Sequence, residues 1–270
     1  MSSVDEDELL DDDDDLAGHD ESLDEGTLLS HLLELRDRLL KAFIAVIAVF
    51  IVLLPFSKQI LEIASAPVRA ALPNGTDMIA IDPLSVVFVP LKLAFFTAIF
   101  IAIPVILYQT WAFVAPGLYK KEKRFALPLL ASSIILFYLG ILFAFFVVMP
   151  LVFNFVIAFA PDTVANMPDI ASYVSFMLPL FLAFGIAFEV PVATVLLCWA
   201  GITTPDKLAS IRSYVFLGCF VVGMFLTPPD VFSQTLLAIP VYLLFELGIL
   251  FSRTMLKNRQ KAEEKDAEAT

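Results

Sequence analysis

Cysteine and histidine are nearly missing from this chain, with two of each in 270 residues. Cys198 and Cys219 sit inside apolar runs, which excludes a disulfide framework and a CxxC metal site and leaves buried thiols acting as small hydrophobes. His19 and His31 precede the first long apolar stretch, so neither an HExxH zinc site nor an intramembrane Ser–His pair can be built. No GxxxxGK[ST] loop occurs, which removes the P-loop route to nucleotide hydrolysis. Without a metal set, a cofactor motif or a nucleophile–base pair, the chain does not read as an enzyme. Its function has to lie in binding and passage. Charge is scarce as well: 17% of residues are charged and 59% hydrophobic, against about 25% and about 45–50% in soluble domains. A mean hydropathy of +0.86 points to a membrane protein.

The net charge of −12 points elsewhere, to a strongly acidic protein, and its location resolves the conflict. Residues 1–30 hold 13 of the 29 acids and no Lys or Arg, which leaves 16 acids against 17 bases in residues 31–270. The acidity belongs to a tail, and the body is nearly neutral. A neutral body without a basic face is no nucleic-acid binder. The same 30 residues lack a basic n-region and an apolar core, so no cleavable signal peptide is expected. One sign of charge, low hydrophobicity and no periodicity predict disorder there. The expected organisation is an acidic disordered tail (1–30), a membrane domain (31–252) and a charged C-terminal tail (253–270).

A spanning helix needs about 20 mostly apolar residues. The uncharged or nearly uncharged runs are 39–56, 93–119, 125–161, 172–200, 213–229 and 231–245. The third is too long for one span, and Pro150 is expected to end its helix, with a loop leading to Tyr173. The prediction is an all-α polytopic protein of six spans, without internal repeats. Lys and Arg set its orientation: 14 of the 17 lie ahead of span 1 or at its start, in the 2–3 and 4–5 loops and in the C-terminal segment, leaving Lys58, Arg69 and Lys92 for the other face. By the positive-inside rule both termini are cytoplasmic. Spans 5 and 6 look short, since 15 residues rise only about 22 Å against about 30 Å of hydrocarbon. Glu189 falls in the middle of span 4, where a carboxylate is rare and usually faces a cavity or a partner.

The cytoplasmic face carries two charged motifs. HLLELRDR at 31–38 is an amphipathic lead into span 1, with Glu34 and Arg38 at i, i+4. WAFVAPGLYKKEKR at 111–124 sets the lone acid Glu122 among bases. On composition alone these are a helix-surface ion pair and ordinary charge mixing. Together with SAP at 65–67, PLKLAFF at 90–96, PVILYQTWAFVAPGLYKKEKR at 104–124, FGIAFEVPV at 184–192 and GMFLTPPDVFSQTLLAIP at 223–240, they give a specific series in a fixed order. The chain from about residue 29 to 253 resembles the TatC family, the large polytopic subunit of the twin-arginine (Sec-independent) protein translocase.

That resemblance implies a concave, glove-like bundle and a receptor for signal peptides with consecutive arginines on already folded cargo. It implies work in the bacterial cytoplasmic (inner) membrane with single-span TatA and TatB partners and further TatC copies, driven by the proton motive force, without a cofactor or metal. The family's signal-recognition acids fall on Glu34 and Glu122. Carboxylates suit the task because a guanidinium fork engages them bidentately, which a Lys ammonium cannot match. Arg36, Phe113, Leu118, Tyr119 and Arg124 match the neighbouring motif positions, with Arg36 and Arg124 read as shaping the site and Phe113 as meeting the apolar part of the signal. In the membrane, Met224, Thr227 and Gln234 match a polar cluster that docks partner helices, and Glu189 faces the groove by analogy. For Gln234 the competing expectation is an internal bond to the 227–230 turn. A proton- or ion-coupled secondary transporter is the alternative from another class; it predicts inverted repeats and several buried polar groups forming a route, where this chain has one midplane acid. A scaffold would leave Glu34, Glu122 and Glu189 replaceable.

Overall fold

A computed structural model of the chain describes residues 12–72, 77–114, 123–159, 167–226 and 231–268. Ten α-helices are described: α1 (Asp12–Leu53), α2 (Ser57–Ala71), α3 (Ser85–Val114), α4 (Lys123–Phe143), α5 (Met149–Phe159), α6 (Ile170–Ala187), α7 (Val190–Trp199), α8 (Pro205–Ser210), α9 (Arg212–Leu226) and α10 (Val231–Glu268). The only extended pairing among the described residues is one isolated bridge between Ile79 and Asp169. Five helical stretches are long and apolar enough to cross a membrane, and a sixth, Arg212–Leu226, is apolar but shorter. The protein is an all-α, multi-pass membrane protein.

Two expected boundaries move. The acidic segment expected to be disordered is helical from Asp12 and continuous with span 1, so residue 30 marks a change of composition and not of element. A helix that extends an existing one avoids the costly nucleus. Span 3 does not end at Pro150. A π-turn at Ala144–Val148 precedes Pro150, and the helical path continues to Phe159. The wider turn absorbs the hydrogen bond that proline cannot donate.

Span 1 turns at a 3-10 segment, Leu54–Phe56, with Pro55 in its first turn, and passes into α2. The whole run Leu32–Ala71 is 40 residues, about 60 Å of helix and twice the hydrocarbon thickness, so α2 has to bend away from the span axis. The face of α2 formed by Ala64, Ser65, Pro67 and Val68 is buried against α3 and α5. The SAP motif is therefore a packing element, and the Tyr173 hydroxyl fastens it from α6 by donating to the Ala64 carbonyl at 2.5 Å. Beside it, Asp82 starts α3 by accepting the Leu84 N–H at 3.1 Å, and Asp169 starts α6 by accepting the Ser172 N–H at 2.9 Å.

Spans 3 and 4 interlock through glycine. A Cβ on Gly140 would lie 2.5 Å from the Phe184 carbonyl oxygen, and a Cβ on Gly185 would lie 2.7 Å from the Phe137 ring. Gly248 of α10 is closed in the same way by Pro191 and Thr194 of α7. Small residues at these crossings let membrane helices approach backbone to backbone. The largest core cluster forms around this interlock, with Phe100, Phe137, Met177, Leu180, Phe181 and Phe184 all buried. Span 4 ends at Gly201, whose φ of 74° is in the left-handed region. Ile202 N–H to the Leu197 carbonyl (3.1 Å) and Gly201 N–H to the Cys198 carbonyl (3.2 Å) complete a Schellman turn there.

Span 6 is longer than its charge-free run suggested. The apolar stretch covers Gln234–Lys257, 24 residues, because Glu246 does not end it: its carboxylate is neutralised by Arg212 of α9, with a 2.6 Å Nε–Oε1 contact. The described part of span 5, Arg212–Leu226, is 15 residues.

Candidate functional site

The amphipathic lead of span 1 is helical, which sets Glu34 and Arg38 on one face. Arg38 donates from Nε at 2.9 Å and from Nη2 at 2.6 Å, both to Glu34 Oε1. Its remaining nitrogen, Nη1, reaches Gln109 Oε1 on α3 at 3.4 Å. Among the described residues, Glu34 Oε2 accepts no hydrogen bond. Glu34 keeps 38% of its side-chain surface exposed and Arg38 24%, while Leu32, Leu33, Leu35, Leu39 and Leu40 around them are exposed apolar side chains. The arrangement is an anionic oxygen set in an apolar surface, facing outward.

Arg38 also fixes where this carboxylate stands. Gln109 and Phe113 are one turn apart on α3, so the Arg38–Gln109 contact holds the Glu34 face against the end of span 2, directly ahead of residues 115–122. Phe113 is half-buried there. Arg36 points elsewhere, pairing with Asp37 at 3.1 Å in an exposed contact. Leu118, Tyr119 and Glu122 lie outside the described residues, and Arg124 is placed as backbone in the first turn of α4.

Within the membrane, the predicted polar residues separate into two places. Glu189 stands at the break between α6 and α7, where Pro191 begins the next helix. Its Oε2 accepts the Ser133 hydroxyl of span 3 at 2.6 Å, and its Oε1 is buried without a partner among the described residues. Gln234 belongs to the span 5–6 pair. Its Nε2 donates to the Phe220 carbonyl at 2.6 Å, an internal bond to the body of span 5; the 227–230 turn lies outside the described residues. Gly223 receives the Gln234 side chain closely, with a Cβ there only 3.2 Å from Cγ. Met224 is exposed on α9; Thr227 lies outside the described residues. Between spans 4, 5 and 6 runs an apolar groove of about 290 Å³, lined by residues that include Ala183, Ala187, Gly218, Cys219, Gly223 and Leu237.

Sequence reasoning missed three polar groups. The first is the Arg212–Glu246–Tyr242 cluster: Arg212 Nη2 donates to Glu246 Oε2 at 2.7 Å, and the Tyr242 hydroxyl donates to Oε1 at 2.9 Å. The Tyr242–Glu246 spacing of four was the available signal, and the Arg212 contact spans 34 residues with none. Arg253 to Asp206, at 3.0 Å, adds a second tie from α10 to α8. The second is Ser133, which nothing in the sequence marked as a partner for Glu189. The third is Asp169, whose Oδ2 accepts the Ser172 hydroxyl at 2.8 Å and whose Oδ1 accepts the Ile81 N–H at 3.3 Å. The Ser172 hydroxyl, then its backbone N–H, holds this carboxyl below the usual aspartate range. Among the described residues, no group of three or more His, Cys, Asp or Glu is arranged to hold a metal ion.

Known proteins place this geometry. The family model described as Sec-independent protein translocase protein (TatC) matches residues 30–240. The Sec-independent protein translocase protein TatC of Escherichia coli (strain K12) is 56% identical over 237 residues, 88% of this chain and 92% of that protein. Its counterpart in Aquifex aeolicus (strain VF5) is 40% identical over 238 residues, 87% of this chain and 98% of that one. A crystal structure of the twin-arginine translocase receptor TatC superposes with a TM-score of 0.76 at 41% identity, covering 83% of this chain and 98% of the other. The all-α bundle, the ordered motifs and these matches agree, and the chain belongs to the TatC family of Sec-independent protein translocase subunits.

Proposed function

We propose that this chain is the signal-peptide-binding core subunit of a twin-arginine translocation system, exporting folded proteins across the bacterial cytoplasmic membrane. The observation that carries the reading is Glu34: a carboxylate with one open oxygen in an exposed leucine surface, held by Arg38 and Gln109 at the end of span 2. A twin-arginine segment needs anionic groups in reach of both guanidiniums and apolar surface for the hydrophobic part of the signal. Glu34 supplies one such group, and Glu122, in the loop after span 2, supplies the other. Arg36 and Arg124 shape the surroundings, and Phe113, Leu118 and Tyr119 give the apolar contact.

In this reading both termini are cytoplasmic, which the placement of 14 of the 17 bases supports. Single-span TatA and TatB partners and further TatC copies complete the complex, and the proton motive force drives it. Glu189, Met224, Thr227 and Gln234 form the intramembrane polar set that meets partner helices. The test is crosslinking of a labelled twin-arginine signal peptide to the wild type and to Glu34→Ala and Glu122→Ala. Both variants should lose the crosslink while still assembling with TatA and TatB. Undiminished crosslinking in both would sink the assignment. A solute transporter would instead leave export of a twin-arginine reporter unrestored in a strain lacking its own TatC.

A further inference from the structure

The carboxylate just assigned to an incoming guanidinium is already holding one. Arg38 directs two nitrogens, at 2.9 and 2.6 Å, to a single oxygen of Glu34, and its third nitrogen is steadied by Gln109. Arg38 is also the less exposed of the pair, 24% against 38%, so the carboxylate is the more accessible partner. Resting on the receptor reading above, we infer that Arg38 is an internal stand-in for the signal arginine, an autoinhibitory contact that sets how strongly the Glu34 site takes an external cation.

The geometry gives the reason. An arginine fork seats best on both carboxylate oxygens at once. With Oε1 occupied, an arriving guanidinium either takes Oε2 alone, next to a like charge, or displaces Arg38 from Oε1. Both routes weaken binding relative to an empty carboxylate. Isolated cations, common on cytoplasmic proteins, are thereby held off, whereas a peptide that also engages a second acid recovers the loss. Gln109 makes the displacement reversible: the released guanidinium keeps a partner on α3 and returns when the peptide leaves.

A role limited to positioning predicts the opposite sign. If Arg38 served only to aim Glu34, removing it would loosen the site and weaken every peptide. Binding of a labelled twin-arginine signal peptide to the detergent-solubilised complex, containing wild type, Arg38→Gln or Arg38→Lys, separates the two. Gln keeps a polar contact to Gln109 without charge, and Lys keeps the charge without the fork. Arg38→Gln should tighten the peptide by about two- to fivefold, the range that a partly exposed ion pair allows. Arg38→Lys should fall between it and the wild type. Equal or weaker binding in Arg38→Gln, with the complex intact by gel filtration, would overturn the inference. Glu34→Gln in the wild-type background is the separating control: if it abolishes binding while Arg38→Gln fails to tighten it, the receptor reading stands and the stand-in role falls. If Glu34→Gln changes nothing, both fall together.

Discussion

Removing one member of the Arg212–Glu246 pair should hurt more than removing both. Glu246 lies within the apolar stretch of span 6 with 28% of its side chain exposed, and Arg212 opens span 5 with 43% exposed. In Glu246→Leu, Arg212 loses one charge-assisted hydrogen bond and an ion-pair contact but stands at the end of its helix, where a long side chain can reach the interface. A cost of about 1–2 kcal/mol is expected. In Arg212→Leu, Glu246 keeps only the Tyr242 hydroxyl and its charge is left uncompensated within the apolar stretch of span 6, so the cost rises to about 2–4 kcal/mol. The double variant removes both charges from the helix crossing and should return to within about 1 kcal/mol of the wild type, leaving a coupling energy of about 1–3 kcal/mol. At about 2–4 °C per kcal/mol for a chain of this size, Arg212→Leu should lower Tm by about 5–10 °C and the double variant by less. The assay is thermal unfolding of the purified protein in one detergent at neutral pH, on wild type, both single variants and the double variant. Losses that simply add in the double variant would refute the reasoning, because they would show that the two charges do not depend on each other.

Four other sites carry expectations of their own. Gly140→Ala drives a Cβ to 2.5 Å from the rigid Phe184 carbonyl, whereas Gly218 has open space, so the first should cost about 1–3 kcal/mol and Gly218→Ala nothing, compared by melting temperature. Asp169 has a folded pKa held below its unfolded value, so its capping contribution is present above about pH 4 and is lost as the pH falls through the folded value. The difference in Tm between wild type and Asp169→Asn should accordingly be full at neutral pH and shrink as the pH falls through the acid range, and a constant difference would count against the assignment. Glu189→Gln keeps an acceptor for Ser133 and removes the ionisable group, so normal export of a twin-arginine reporter by this variant would show that ionisation is not needed there. Gln234→Leu breaks the 2.6 Å bond to Phe220 and should weaken copurification of TatA-type partners; unchanged recovery would confine Gln234 to an internal staple.

The sequence was most legible where one property dominates a long run. Six apolar stretches, the concentration of acids before residue 30 and the asymmetry of bases each survive any detail of packing. It misled where a local signal was compensated by something distant. Pro150 looked like a helix end, and the π-turn at Ala144–Val148 accommodates it. Glu246 looked like the end of span 6, and Arg212, 34 residues earlier, neutralises it. Residues 12–30 looked incapable of order by composition, yet their helix is an extension of one that already exists. The candidate site shows the same division. Glu34 and Arg38 could be paired from their spacing, but the contact to Gln109, 71 residues away, could not. Nor did the pattern of charges reveal that Arg38 already fills one side of the carboxylate.

The short fifth span acquires its meaning from the contacts that hold it. The fifteen described residues of span 5 rise about 22 Å, against about 30 Å of hydrocarbon. An isolated helix of that length would tilt less, sink or draw the bilayer in around it at a cost spread over both ends. Here neither adjustment is free. Arg212 at its first residue is clamped to Glu246 of span 6, and Phe220 near its middle is bonded to Gln234 of the same span. Sinking would drag Arg212 off its carboxylate, and sliding would break the Gln234 bond. Span 5 is therefore held at a fixed register on one side of the bundle, next to the apolar groove between spans 4, 5 and 6. The two polar contacts, each of which looks like a liability in a membrane, together keep a short helix short-seated. Weakening either should free span 5 to shift along span 6 as well as lower the stability, which makes the Arg212 and Gln234 variants tests of its seating as much as of the fold.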